Sequence, residues 1–153
     1  MNGEERMEQE TQKNTDIGFY IKKLDNHIQR HIHSLYDRKE FMECSLLNMR
    51  VADFLFDNQE KEIFQKDIEA EFFINRATAS KMLTLMEEKK LIRRTNSHAD
   101  ARLKQVELLP KGMELHEWYG EIRLEMEDML TQGLSEEEVT LFKTLCQKIL
   151  REI

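Results

Sequence analysis

A mainly α-helical fold with one small β-hairpin is what this 153-residue sequence predicts, on three observations. The chain has a single Pro, five Gly and 35% charged residues, so forced breaks are few and helix formers are many. Through most of its length apolar residues recur at three- and four-residue steps, the spacing that lines one face of a helix. Two short β-compatible runs interrupt that period in the middle of the chain, joined by a polar turn. With 40% hydrophobic content the chain is long enough to bury one sizeable core.

Residues 1–15 are polar and acidic without periodicity and are expected to form a disordered or frayed tail. A long first helix follows within residues 16–45, its stripe running Ile17, Ile21, Leu24, Ile28, His31 or Ile32, and Leu35, and ending between Tyr36 and Lys39. A second helix is predicted from Leu46 to about Asp57, with a turn at Asp57-Asn58-Gln59. The run Ile63 to Phe72 reads as a short helix after a strand residue or two. Asn75 then caps a helix reaching about Lys89, because its side chain can accept from the orphan amides that follow. Ala79, Met82, Leu83 and Met86 form the inward stripe of that helix, while Arg76, Ala77, Ser80, Lys81 and Thr84 lie opposite.

Leu91–Thr95 and Leu103–Leu108 are the two strand-like runs, and the turn between them carries His98, Asp100 and Arg102. Pro110 suits the first position of a helix extending to about Gln132, with Met113, Leu115, Trp118, Ile122, Met126 and Met129 as burial candidates. Ser135-Glu136-Glu137-Glu138 is a capping box that opens the last helix, whose stripe is Val139, Phe142, Leu145, Ile149 and Ile153.

Net charge is −7, which by itself argues against an anionic partner, yet the charge is unevenly placed. Residues 1–75 sum to −6, residues 76–111 to +5 and residues 112–153 to −6. The basic segment holds both the Asn75-capped helix and the hairpin. Two Cys, Cys44 and Cys146, are too few for a disulfide framework, and no run approaches a membrane span or a signal sequence. A cytoplasmic protein with no membrane association is expected.

A short helix, a tight break, a helix with small polar residues outward and then a hairpin with a basic tip make up the winged helix-turn-helix plan. Small outward residues allow close approach to base edges in the major groove. Over Leu46–Gly112 the chain resembles the MarR (multiple antibiotic resistance regulator) family. Leu91-Ile92-Arg93-Arg94, Asp100-Ala101-Arg102 and Val106-Glu107-Leu108-Leu109-Pro110-Lys111-Gly112 match its motifs in order and spacing.

The resemblance implies residues 46–109 as the double-stranded-DNA-binding domain, with residues 16–45 and 110–153 as dimerisation helices of a homodimer. It implies a ligand-responsive regulator, a repressor at a palindromic operator, with a small aromatic or anionic effector and no cofactor. Asn75, Arg76, Ala77, Thr78, Ser80 and Lys81 fall at DNA-contact positions, and Arg102 matches the wing arginine of the minor groove. Arg94 and His98 belong to the same surface. Asp100 is expected to pair with Arg94 and hold the tip in shape. Two positions depart from the family. Lys90 stands where glycine is usual, so another helix ending is expected there, and Leu109 replaces a capping Thr, with Pro110 compensating through its fixed φ.

Three other readings compete. His27, His31, His33, Cys44 and His116 contain metal-ligand types, with His27 and His31 one turn apart, but lack a Cys-x-x-Cys or His-x-Glu pattern. Cys44 precedes a helix N-terminus, which lowers a thiol pKa and favours redox sensing, whereas Cys146 is expected to be packed and inert. A winged module that binds protein instead of DNA is the third. No nucleophile and base, phosphate loop or paired carboxylates indicate an enzyme.

Overall fold

The computed structural model describes residues 15–36 and 41–153. Most of the expected tail, residues 1–14, and part of the expected end of the first helix, residues 37–40, lie outside the described residues. The described elements run α1 (Ile17–Ser34), α2 (Leu46–Asp57), α3 (Gln65–Phe72), α4 (Arg76–Glu88), β1 (Ile92–Asn96), β2 (Lys104–Leu108), α5 (Pro110–Thr131) and α6 (Glu136–Glu152). This is the predicted order, and the helix starts coincide with the caps. Asp16 Oδ1 accepts from Phe19 N at 2.7 Å, and Ser45 Oγ from Asn48 N at 3.2 Å. The Ser135–Glu138 box closes in both directions, at 3.2 and 2.8 Å. Leu109 gives no side-chain cap, and Pro110 occupies the first turn of α5 as expected.

One apolar core joins α2 to α5 and the reading elements. Met49, Val51, Ala52 and Leu55 of α2 meet Leu115, Trp118, Tyr119, Ile122 and Met126 of α5, with Met82, Leu83 and Met86 of α4 closing the other side. Trp118 stacks on Phe41 at a centroid distance of 5.5 Å and meets the edge of Tyr36 at 5.4 Å. On the flank of this contact His116 bonds Asp53 at 2.8 Å and lies flat on Phe56, tying α5 to α2 a second time.

α1 and α6 are different. In α1 only Ile32 is buried, with Ile28 beside the core, while Ile17, Ile21 and Leu24 are exposed. No residue of α6 is buried. The stripe Phe142, Leu145, Ile149 and Ile153 is exposed in the protomer, and Cys146, expected to be packed, is only half-covered. Among the described residues α6 meets α5 through the Lys143–Glu127 ion pair, and its apolar stripe is left largely uncovered. No described helix is long and apolar enough to cross a membrane.

β1 and β2 are antiparallel, with Ile92 opposite Leu108, Arg94 opposite Val106 and Asn96 opposite Lys104. A third backbone segment joins them, since Phe64 bridges Gln105 and Val106 N donates to Ile63 O at 2.7 Å. The strand residues expected ahead of α3 are therefore real, and they lock the hairpin to the helix-turn-helix.

Two helices end in left-handed residues. Lys90 has φ 60°, and around it Leu91 N bonds Met86 O at 2.9 Å while Lys90 N bonds Glu87 O at 3.0 Å. The expected alternative ending is thus not adopted. Lysine accepts a conformation that costs about 1 kcal/mol relative to glycine, and the turn delivers Leu91 fully buried into the core. Phe73, at φ 51°, does the same after α3.

Gly112 is required for a separate reason. A Cβ there would lie 2.2 Å from Leu91 O, so α5 starts in near contact with the backbone that follows α4.

Candidate nucleic-acid interface

α4 carries the candidate reading face. Asn75 Oδ1 accepts from Thr78 N at 2.8 Å, which starts the helix and leaves the Asn75 amide NH₂ free to face outward. Ala79, Met82, Leu83 and Met86 are buried as predicted. Asn75, Arg76, Ala77, Thr78, Ser80, Lys81 and Thr84 are all exposed, forming a single face of small, polar and cationic side chains. The α4 N-terminus, where backbone amides point along the axis, is on the same side as Arg76 and favours anions.

The hairpin is held by carboxylates that the sequence reading did not single out. Glu62, ahead of α3, accepts from Ser97 Oγ at 3.1 and 3.0 Å through its two oxygens, and from His98 N at 2.7 Å. Ser97 is buried, and its Oγ in turn accepts from Ala99 N at 3.1 Å. The base of the wing is therefore fixed to the loop that enters the helix-turn-helix, with the His98 side chain left exposed.

At the tip, Asp100 does not pair with Arg94. Its Oδ1 accepts from Arg102 N at 3.0 Å and Nε at 3.2 Å, and its Oδ2 from Nη2 at 3.3 Å. Bonds from the guanidinium and backbone of Arg102 hold the Asp100 carboxyl below its usual range. The Arg102 side chain is nevertheless 90% exposed, so Asp100 aims it without covering it.

Arg94 turns back to Glu87 on α4, whose Oε1 accepts from Nη2 at 3.1 Å and whose Oε2 accepts from Arg94 N at 3.0 Å. The Arg94 guanidinium also reaches Thr84 Oγ1 at 3.4 Å. This contact depresses the Glu87 pKa, and it leaves Arg94 half-buried as a strut between wing and reading helix. The reason the expectation failed is distance along the structure: the strand carries Arg94 beside the last turn of α4, while the Asp100 carboxylate closes a local turn two residues long.

The competing metal and redox readings find no support here. His27 and His33 are exposed on α1, His33 lies against Tyr36, and His116 is bonded to Asp53 on α2. Among the described residues no group of three or more His, Cys, Asp or Glu could hold a metal. Cys44 is 2% exposed, and burial pushes its thiol pKa up, opposite to the lowering expected from the helix terminus.

An exposed polar helix face behind a tight turn, followed by a basic two-stranded wing braced to it, defines a DNA-binding winged helix-turn-helix protein. Residues 46–103 match the model of the MarR family, and this part of the chain resembles that family's DNA-binding transcriptional regulators. The fold is similar to Staphylococcus aureus MepR in complex with DNA, with TM-score 0.78 and 25% identity over 90% of this chain and 96% of that one. It is also similar to the transcription regulator MarR from Oenococcus oeni PSU-1, with TM-score 0.71 and 29% identity over 89% and 99% of the two chains. Streptococcus pneumoniae FabT in complex with DNA shares the fold at TM-score 0.68, with 20% identity over 88% and 93%. No curated protein sequence matches the chain significantly.

Proposed function

We propose that the protein is a homodimeric, ligand-responsive repressor that binds a palindromic operator through α4 and the wing. The observation that carries this reading is the pairing of two surfaces on one protomer: a cationic, small-residue face on α4 and a largely exposed apolar stripe on α6. The second surface asks for another copy of the chain, and two copies present two reading helices. In this reading Arg76 and Lys81 reach guanine or phosphate, and Thr78 and Ser80 bond phosphate or base edges. Asn75 and Ala77 approach the same edges. Arg102 enters the minor groove, where a narrow A·T tract concentrates negative potential, with Asp100, Arg94 and His98 shaping the wing around it.

Two reading helices must sit about 34 Å apart to enter successive major grooves, so a small rotation between protomers abolishes binding. A small aromatic or anionic effector is proposed to act on that spacing from a crevice between the terminal helices and the reading domain. The protomer has open hollows of about 520 and 230 Å³ around Asn58, Lys61 and Ile63, and neither is lined by α1, α5 or α6. In this reading the effector crevice is completed by the second protomer. The test is a mobility shift with duplexes from upstream of the protein's own gene. Specific, salt-sensitive retention at a palindrome is expected, and its absence on every upstream duplex overturns the proposal.

A further inference from the structure

The turn between α3 and α4 contains an expensive residue with no return in the fold. Ile74 N closes onto Glu69 O at 3.1 Å, and the left-handed step at Phe73 makes that closure geometrically available. Phe72 and Ile74 turn inward and pack against the core, while Phe73 turns outward and is 83% exposed. Glycine takes the same φ without a Cβ clash, and asparagine takes it more readily than a bulky aromatic. A phenylalanine here therefore carries both backbone strain and a large apolar ring in water. Lys90 is strained too, but its exposed side chain ends in a charge that water solvates.

The surroundings of Phe73 indicate what the ring meets. It lies two residues before the α4 cap, at most about 7 Å along the chain from Asn75, at the leading end of the helix whose exposed face is Arg76, Ala77, Thr78, Ser80 and Lys81. The segment from Arg76 to Lys111 has net charge +5. An apolar protein patch would not complement that cationic margin. Duplex DNA does, and its major groove offers one exposed apolar group, the C5-methyl of thymine, which aromatic and other apolar side chains contact.

We propose that Phe73 is a specificity-determining residue that packs its ring on a thymine methyl at the edge of the half-site read by α4. The inference rests on α4 being the major-groove helix. It extends the reading surface from the helix back into the turn, and it gives the strained phenylalanine a role that glycine could not fill.

The test uses the full-length chain and the duplex it selects from a random pool, with each thymine replaced in turn by deoxyuridine. In each half-site one such replacement is expected to weaken wild-type binding about three- to fivefold. Phe73→Gly and Phe73→Asn should lose about the same factor on the thymine duplex and become indifferent to deoxyuridine at that position, and Phe73→Leu should retain part of the discrimination. Because no phosphate contact is removed, the dependence of affinity on salt should be unchanged. The melting temperature of Phe73→Gly should equal or exceed that of wild type.

Unchanged affinity in the glycine and asparagine variants overturns the inference. So does a loss that leaves the deoxyuridine effect intact, which would place the ring on the sugar-phosphate backbone, and so does a lowered melting temperature in both variants. Arg76→Ala separates the two levels of the argument. If it weakens binding while Phe73→Gly does not, only the role of Phe73 fails; if the wild-type chain selects no duplex, the DNA reading itself fails with it.

Discussion

The reading module and the terminal helices are written in the same helical periodicity, yet the structure treats them in opposite ways. Met82, Leu83 and Met86 on α4 are buried against their own chain, whereas Phe142, Leu145 and Ile149 on α6 stay in water. In the reading module the polar groups are also closed locally, with Glu62, Glu87 and Asp100 each satisfying a specific donor of the wing. The difference shows that amphipathic spacing tells which face of a helix is apolar and says nothing about which molecule covers it. One region is finished by its own sequence; the other is half of a proposed contact.

The strongest way to break this comparison is to put charge on the unfinished half. Leu145→Glu with Ile149→Glu should convert the protein to a folded monomer in sedimentation, with the helical circular dichroism largely kept. Affinity for a two-half-site operator should fall about 100-fold or more as the second reading head is lost. If the reading module unfolds as well, the two regions are not separable as argued.

Gly112→Ala attacks the finished half. Its Cβ would meet Leu91 O, a backbone atom that cannot swing aside, and the loss in chemical denaturation should be about 2–3 kcal/mol. Arg102→Ala leaves packing untouched because the side chain lies outside the fold. It should reduce DNA affinity about tenfold, lower the salt slope by about one and leave the melting temperature within a degree or so of wild type.

Lys90→Gly should add about 1 kcal/mol of stability by relieving the left-handed strain without altering DNA affinity. Smallest is the pH effect of Glu87. Its folded pKa is depressed, so its contribution is present above the ordinary glutamate value of 4.5 and lost as pH falls through the lower folded value. Because the pair is partly solvated, the slope is shallow. Acid titration of stability in wild type and Glu87→Gln should diverge in that window and run parallel at neutral pH.

The helices and their starts were legible because their determinants are local. Asn75, Ser45, Asp16 and Ser135 act over three residues, and the α4 stripe needs only its own period. The outward set on α4 was legible for the same reason. The braces were not, because Glu62 meets Ser97 and His98 across 35 and 36 residues, and nothing in the run Lys61-Glu62-Ile63 distinguishes that carboxylate from a solvated one. Glu87 and Arg94 left a faint signal, opposite charges seven residues apart on either side of a tight turn. Lys90 was misjudged because residue preference favoured a different ending, while the burial of Leu91 on the far side of the turn decided the matter.

The seating of Gly112 against Leu91 has a mechanical meaning. α5 has 22 residues and is therefore about 33 Å long, and one end is pressed onto the reading module with no side chain between. A tilt of about 5° at that seat displaces the far end by about 3 Å, by the same helical rise. A rotation about the Gly112 seat is therefore magnified along α5, and Trp118, Ile122 and Met126, packed in the core, resist it.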